Sequence, residues 1–292
     1  MPPNLSLPAH AVIHEAITPE NIQYYKEHGF LIANHLFKDS EIAELKEETL
    51  SIFKGKYGTV EGLQKVKNEE SEFDILRKYL CIHFPHKLSA VIFKYLGHQK
   101  ITDILTKIIS PNVKAIQSML FVKAPEKPGQ SWHQDEYFIP TRDMSLTGAW
   151  IAIDDANIEN GCLWVVPGSH KPAMPFNRVP YRGDEYGEND TIHSKYIDDS
   201  KLIPVTAKKG AAIFFNGYLL HSSRRNKTKG KFRTALVNHY MSAESYLPWD
   251  QDGKYQLTED MRDIVMVAGE DPYRYKGTVN ILMPYLRADL PQ

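Results

Sequence analysis

The stretch that decides the fold lies between residues 113 and 241, where short apolar runs alternate with turn residues. Its five runs are AIQSMLFV (115–122), GAWIAIDD (148–155), GCLWVVPGS (161–169), GAAIFFNGYLLH (210–221) and TALVNHYM (234–241). Short strands at this spacing, with no helical periodicity between them, are typical of an antiparallel sandwich or barrel. The sequence therefore predicts a β-rich core in this part of the chain.

The residues before 113 show helical periodicity instead. Thr18-Pro19-Glu20 predicts a helix start, and Gly29 ends this helix. A strand-like run, 30–37, follows it, and Asp39 is predicted to cap a second helix that ends at Gly55. Further apolar residues at helical spacing are Phe73, Leu76, Tyr79 and Leu80; Leu88, Val91, Ile92 and Tyr95; and Ile101, Leu105 and Ile108.

Composition excludes several classes of protein. The 35 basic and 36 acidic side chains give a net charge of −1, so no global field would attract nucleic acid or an anionic membrane. Two cysteines, Cys81 and Cys162, are too few for a disulfide framework or a Cys-rich zinc module. No apolar run reaches the roughly 18–20 residues that span a bilayer, and the N-terminus lacks the features of a secretory signal. We therefore expect a cytoplasmic protein.

The first candidate for chemistry is His133-Gln134-Asp135. Residues i and i+2 of a strand share a face, so an imidazole and a carboxylate would point the same way. With 12 histidines and 36 acidic residues, one such pair is expected by chance, and a surface histidine beside a turn aspartate explains it equally well. A third ligand has to come from a distant strand, and His221 at the end of the apolar run 211–220 is the candidate for a facial triad.

Arg233 follows His221 by twelve residues and opens the next apolar run. A buried arginine near a metal predicts a dicarboxylate co-substrate, because guanidinium binds carboxylate through two parallel hydrogen bonds. Ser223 shares a face with His221 and is a further donor. The alternative is that Arg233 simply belongs to the basic stretch 224–233, which then forms a solvated hairpin turn.

Five blocks in this order resemble the phytanoyl-CoA dioxygenase family. They are IQSMLFVKAP (116–125), WHQDEYF (132–138), GAWIAIDDANIENGCLWVVPGSHK (148–171), GAAIFFNGYLLHSSRRN (210–226) and FRTALVNHYM (232–241). The resemblance spans about residues 20–245 and implies a mainly β fold, a double-stranded β-helix or jelly roll with an N-terminal helical buttress. It implies one domain over 1–292, with a helical part at about 18–110, a core at about 113–241 and a C-terminal tail at 242–292.

The resemblance also implies the chemistry. The family consists of non-haem Fe(II)- and 2-oxoglutarate-dependent dioxygenases that use O2, with ascorbate as the reductant expected to keep iron ferrous. Carried over by position, the iron ligands are His133, Asp135 and His221. The co-substrate contacts are Met119, Gln134, Trp150, Ser223 and Arg233. Arg77 or Lys78 is open as an additional basic contact, whereas His83, His239 and Cys162 are expected to be structural. The carboxylate of Asp135 favours a hydroxylase over a halogenase.

The identity of the substrate stays open. We expect a small molecule, and neither nucleic-acid binding nor membrane insertion. An acyl-CoA thioester is the alternative, with its phosphates meeting Lys123, Lys127 and the stretch 224–233. Two further hypotheses are a jelly-roll module without oxygenase activity and a zinc- or manganese-dependent cupin-type isomerase or hydrolase. The substrate walls are expected in 55–75, in the long loop predicted at 171–200, and in the tail. The tail aromatics either pack over the mouth of the site or attach the tail to the barrel: Trp249, Tyr273, Tyr275 and Tyr285.

Overall fold

The computed structural model describes residues 7–67, 69–187, 189–247 and 260–288. Five α-helices lie in the described residues: α1 Pro19–His28, α2 Asp39–Phe53, α3 Glu72–Arg77, α4 Ala90–Leu96 and α5 Gln99–Ile108. The strands are β1 Val12–Ile13, β2 Phe30–Ala33, β3 Tyr79–His83, β4 Val113–Lys123, β5 Gln130–His133, β6 Thr147–Ala152, β7 Leu163–Val165, β8 Arg178–Pro180, β9 Asp190–Ile192, β10 Ile203–Val205, β11 Ala212–Asn216, β12 His221–Ser223, β13 Arg233–Ser242, β14 Val265–Ala268 and β15 Tyr285–Ala288.

Two sheets form the core. The larger has the order β1-β2-β11-β6-β13-β4-β3-β15, with β14 also paired to β4, and the smaller has the order β10-β7-β12-β5. Pairing within both sheets is antiparallel, except for the parallel pair β1–β2. Side chains from both sheets line one inner cavity, so the sheets face each other. The predicted mainly β jelly roll with helices is confirmed.

Strand β13 shows how the core is layered, because alternate side chains point to opposite faces. Val237 and His239 face the other sheet and line the inner cavity. Asn238 and Tyr240 face the helices, where they donate hydrogen bonds to the carbonyls of Tyr95 (3.4 Å) and Leu96 (2.8 Å). The helices therefore cover the outer face of the large sheet and leave its inner face for the site.

The first two helices lie close to their predicted positions. Thr18 caps α1 through its side chain, and Gly29 ends it in the left-handed conformation with φ 84°. Helix α2 contains Asp39 as its first residue, whereas Lys38 is the capping residue, and the Lys38 amide donates to the Glu41 carboxylate at 2.7 Å. The prediction of Asp39 as the cap was therefore displaced by one residue.

Two predicted elements were wrong. Tyr79 and Leu80 fit a helical spacing, but they begin β3, which pairs with β15 from Tyr79 onward and with β4 from Cys81 to His83, and this pairing overrides the local spacing. The run 211–220 was read as one strand, yet β11 ends at Asn216 and the chain turns at Gly217 into the other sheet. His221 therefore begins a strand of the small sheet.

The loop predicted at 171–200 contains a small hairpin, β8–β9, besides irregular segments. Arg178 and Asp190 join its strands by an ion pair with one N–O distance of 2.7 Å and a second of 2.5 Å. Within the described ranges, no helix has the length and apolar character needed to cross a membrane.

The described part of the tail attaches to the large sheet. Strand β15 pairs with β3, and the ring of Tyr285 stacks on His83 with centroids 4.4 Å apart. The Lys87 ammonium donates to both carboxylate oxygens of Asp263 at 2.7 Å and to the carbonyl of Leu282 at 2.8 Å. These contacts fix the tail against the sheet beside the inner cavity.

The tail aromatics differ in their surroundings. Tyr273 donates a hydrogen bond of 3.0 Å to the Glu244 carbonyl, whereas Tyr275 is 78% exposed. Trp249 lies outside the described residues. The prediction that the tail adheres to the barrel therefore rests on Tyr273 and Tyr285.

Candidate metal centre

Two strands of the small sheet bring three metal-binding side chains together. His133 ends β5 and His221 begins β12, and the two residues are paired directly across the ladder. Asp135 begins a 3-10 turn, Asp135–Tyr137, directly after β5. Gln134 between them stays extended, with φ −127° and ψ 129°. His133 and Asp135 therefore point to the same side although the strand pairing ends at His133.

The ligand atoms of these three residues all lie within 4.8 Å of one another. Oδ1 of Asp135 is 3.6 Å from Nε2 of His133 and 3.7 Å from Nε2 of His221. Both histidines are 4% exposed and Asp135 is 9% exposed. Two imidazoles and one carboxylate on one side of a site are the donor set that suits non-haem Fe(II).

Hydrogen bonds to the backbone fix both imidazoles for metal binding. Nδ1 of His133 lies 2.7 Å from the carbonyl oxygen of Ser131, and Nδ1 of His221 lies 2.9 Å from that of Leu219. A carbonyl only accepts, so each Nδ1 carries a proton, and Nε2 is the ring nitrogen that is directed at the metal position. Burial, followed by the charge of His221, lowers the pKa of His133 to about 3, which keeps this ligand neutral.

His239 orients the third ligand. Its Nε2 lies 3.0 Å from Oδ2 of Asp135, on the oxygen that does not face the other two histidines. Burial alone would raise the pKa of Asp135, but the charges of His221 and His239, with the hydrogen bond from His239, hold it below its ordinary value. The residues thus supply an ionised carboxylate and two imidazoles with their Nε2 atoms directed at it, which fits a divalent iron ion.

An inner cavity of about 60 Å³ adjoins the triad. Its lining includes four of the predicted co-substrate contacts: Met119 of β4, Trp150 of β6, Ser223 of β12 and Arg233 of β13. The cavity suits a molecule with carboxylate groups. It has metal-binding side chains at one place, and the guanidinium of Arg233 and the hydroxyl of Ser223 at another.

Arg233 is a buried cation with spare hydrogen-bonding capacity. It is 4% exposed, its guanidinium carbon lies 5.4 Å from the ring centre of Trp150, and its Nε has no hydrogen-bond partner among the described residues. Burial lowers its pKa to about 10. A buried, incompletely bonded guanidinium is costly without an anion, so its surroundings fit the distal carboxylate of 2-oxoglutarate.

The structure does not bring Gln134 into this cavity. Its Nε2 donates to the carbonyls of Met174 (3.2 Å) and Tyr218 (2.7 Å), and its Oε1 accepts from the amide of Phe176 (2.8 Å). Gln134 therefore ties the segment 174–176 to the turn before β12. Lys78 forms an ion pair with Glu70, and the described linings of both cavities contain neither Lys78 nor Arg77.

An outer cavity of about 540 Å³ shares Met119, Ser223 and Arg233 with the inner one. It lies between the edge strand β5 and the strands β3, β4 and β15 of the large sheet. Its charged lining residues are the cations Lys123, Lys127, Arg225, Arg233 and Arg287 and the anions Glu126 and Asp184. This excess of positive charge favours a ligand with an anionic group.

The cations of the outer cavity are not equivalent. Arg225 donates to the carbonyl of Glu126 at 2.7 Å and to that of Asp184, so it holds two loops together. Arg287 is exposed, and within the described part of the chain its guanidinium has no hydrogen bond or ion pair. Lys123 is 8% exposed and donates to Ser223 at 2.8 Å, so it is an internal residue and not part of a solvated rim.

Two residues of this site, His239 and Arg287, were not found from the sequence, and Lys123 was named only as a contact for the phosphates of an acyl-CoA. His239 was expected to be structural, and its spacing from Asp135 carries no recognisable motif. The sequence does contain one signal for His239. It lies on the same predicted strand as Arg233, and residues an even number of positions apart on a strand share a face. Arg287 becomes part of the site through the pairing of β15 with β3, for which the sequence offers no indication.

Comparison with known proteins gives an independent result. The family described as phytanoyl-CoA dioxygenase matches residues 25–235. The human peroxisomal phytanoyl-CoA dioxygenase is 28% identical over 244 residues, which cover 80% of this chain and 71% of the relative. The zebrafish (Danio rerio) phytanoyl-CoA dioxygenase domain-containing protein 1 is 31% identical over 202 residues, which cover 67% of this chain and 69% of the relative.

A solved structure shares the fold. The non-haem α-ketoglutarate-dependent carbocyclase SnoK of nogalamycin biosynthesis superposes with a TM-score of 0.61 at 21% sequence identity. The superposition covers 81% of this chain and 88% of SnoK. At this identity the similarity establishes the architecture, and the chemistry has to be argued from the family and the site.

Proposed function

Because the chain belongs to the phytanoyl-CoA dioxygenase family and is a non-haem Fe(II)/2-oxoglutarate-dependent oxygenase, we propose that it hydroxylates a C–H bond of a small organic substrate. The balanced reaction converts substrate, 2-oxoglutarate and O2 into hydroxylated product, succinate and CO2. The observation that carries the proposal is the cluster of His133, Asp135 and His221 beside the buried, incompletely bonded Arg233.

The chain's residues have distinct roles in this proposal. His133, Asp135 and His221 would hold Fe(II), which when bound supplies the activation of O2 that the side chains themselves lack. Arg233 and Ser223 would bind the distal carboxylate of 2-oxoglutarate. Trp150 and Met119, which line the inner cavity, would contact the co-substrate and limit the access of water to it.

Replacing Asp135 tests the proposal. We expect Asp135→Ala to lose iron binding and 2-oxoglutarate turnover, because the site then has two neutral ligands and no anionic one. The measurements are iron content per chain and succinate formation with iron, ascorbate and O2. Asp155→Ala is the matched control, since Asp155 pairs with Lys208 at 2.8 Å on the surface. Undiminished succinate formation by iron-loaded Asp135→Ala would contradict the assignment.

An acyl-CoA thioester is the second candidate substrate. It is favoured by the cations Lys127, Arg225 and Arg287 in the outer cavity and by the name of the human relative. Stimulation of 2-oxoglutarate turnover should be measured with free small molecules and with CoA thioesters of matched chain length. Stimulation by thioesters alone would replace the small-molecule proposal with the thioester proposal.

The two non-oxygenase hypotheses are tested by binding. An iron-bound 2-oxoglutarate chelate absorbs weakly in the visible range, and an anaerobic titration should produce this band in the wild-type protein. Absence of both the band and succinate would favour a metal-binding module or a zinc- or manganese-dependent enzyme. The division into one domain over 1–292, the co-substrate role of Gln134 and a cytoplasmic location remain predictions.

A further inference from the structure

The hydroxyl group of Ser223 is in an unusual hydrogen-bonding position. Its Oγ accepts a hydrogen bond of 2.8 Å from the Lys123 ammonium and one of 3.2 Å from the backbone amide of Gln130. Both donors have protons and no acceptor capacity, so neither bond can be reversed. Ser223 is 3% exposed and lines both cavities together with Arg233.

This arrangement determines where the hydroxyl proton of Ser223 points. A hydroxyl has two acceptor positions and one donor, and both acceptor positions are already occupied. The proton is therefore available only as a donor, and no acceptor for it is found among the described residues. A buried donor without an acceptor is costly, which points to an anionic or carbonyl oxygen of a ligand in the cavity.

Backbone carbonyls around Lys123 fix the position of its ammonium group. Its ammonium also donates to the carbonyl of Arg224 at 2.7 Å and to that of Gly161 at 3.4 Å. Gly161 has a φ of +82°, and an added Cβ would lie 2.2 Å from the Arg224 carbonyl oxygen and 3.1 Å from the Lys123 ammonium. The turn at Gly161 therefore leaves the space in which Lys123 reaches Ser223.

We propose that Lys123 is a positioning residue for 2-oxoglutarate, acting through Ser223. By occupying one acceptor position of the hydroxyl, Lys123 fixes Ser223 as a donor toward the distal carboxylate, beside the guanidinium of Arg233. The buried ammonium adds positive charge at the same end of the cavity. This inference rests on the proposed function, because it assumes that 2-oxoglutarate is the co-substrate.

The test compares two 2-oxo acids that differ only at the distal end. Dissociation constants are measured by anaerobic calorimetry on the iron-loaded protein for 2-oxoglutarate and for 2-oxopentanoate, in which a methyl group replaces the distal carboxylate. Lys123→Met should weaken 2-oxoglutarate binding about ten- to hundredfold, the usual effect of losing a hydrogen bond to a charged group. It should leave the dissociation constant for 2-oxopentanoate unchanged.

Further variants separate positioning from a general structural role. Lys127→Met is the matched control, because Lys127 lines the outer but not the inner cavity, and it should not affect 2-oxoglutarate binding. Lys123→Arg should largely restore binding. In a Ser223→Ala background, Lys123→Met should have a much smaller effect than in the wild type, because the coupled hydroxyl is gone.

Three outcomes would overturn the inference. They are an unchanged 2-oxoglutarate affinity in Lys123→Met, an equal loss of affinity for both acids, or full additivity with Ser223→Ala. If Lys123→Met does not fold, the two dissociation constants are compared in Lys123→Gln and Lys123→Arg instead. Weakened binding of 2-oxoglutarate is then expected only for Lys123→Gln. Failure of the wild type to bind 2-oxoglutarate would instead refute the proposed function.

Discussion

His239 shows how much of a metal site lies outside its ligands. Sequence patterns were sufficient to select His133, Asp135 and His221, because a short motif, a strand end and a downstream arginine combine into one chemical arrangement. The hydrogen bond from His239 to Asp135 arises from the packing of β13 against the small sheet. The sequence places His239 on the same strand face as Arg233, but it does not show that this face lies against Asp135, 104 positions away.

His239 provides a prediction at the residue scale. His239→Phe keeps an aromatic side chain of similar size and removes the donor to Asp135. We expect metal affinity to fall about 10- to 100-fold, the usual effect of losing a partner that orients a ligand. Competition with a chelator measures this affinity. The surface residue His14 is the control as His14→Phe, and equal affinity of both variants would show that His239 does not support the ligand.

At the scale of elements, local periodicity located most strands and helices but not their termini. The run 210–221 is apolar throughout, so nothing in its composition reveals that Asn216-Gly217 turns the chain from one sheet to the other. Likewise, Tyr79 and Leu80 continue a helical spacing, but they belong to a strand that pairs with β15 and, from Cys81 onward, with β4. In both cases long-range pairing decides the element, and spacing within a short window does not contain that information.

The turn at Gly161 provides a prediction at the element scale. Gly161→Ala introduces a side chain at φ +82° and a close contact with the Arg224 carbonyl. We expect the free energy of unfolding to decrease by at least about 2 kcal/mol. Chemical denaturation measures the change, with Gly230→Ala as the control, because an added Cβ there meets no atom within 4 Å. Equal stability of the two variants would contradict the strain at this turn.

At the scale of the whole molecule, buried neutral histidines determine how the free energy of unfolding changes at acidic pH. Burial, followed by the charges of Arg287 and His239, lowers the pKa of His83 to about 3, and burial with the charge of Lys87 lowers that of His86 to about 4. The unfolded chain protonates these groups near 6.5. Between about pH 6.5 and 3 the unfolded state therefore binds more protons, and stability falls as the pH falls.

Replacement of His83 tests this dependence. Wild-type protein without added metal should lose about 2 kcal/mol of stability per buried histidine between pH 7 and pH 5. His83→Phe retains a ring to stack on Tyr285 and removes one titrating group. The stability that this variant loses between pH 7 and pH 5 should therefore be about 2 kcal/mol smaller than in the wild type. Denaturant unfolding at both pH values gives the comparison. The same pH dependence in His83→Phe and wild type would show that His83 does not contribute.

Strand β15 has a consequence for how this enzyme can diversify. The tail supplies Arg287 to the outer cavity, whereas His133, His221 and Arg233 lie in the earlier strands β5, β12 and β13, and Asp135 lies in the turn after β5. A cation of the outer cavity and the candidate metal ligands are therefore encoded in separate segments. Exchange of the tail alone is expected to alter substrate choice while leaving 2-oxoglutarate turnover intact, in which case selectivity could be inherited separately from reactivity.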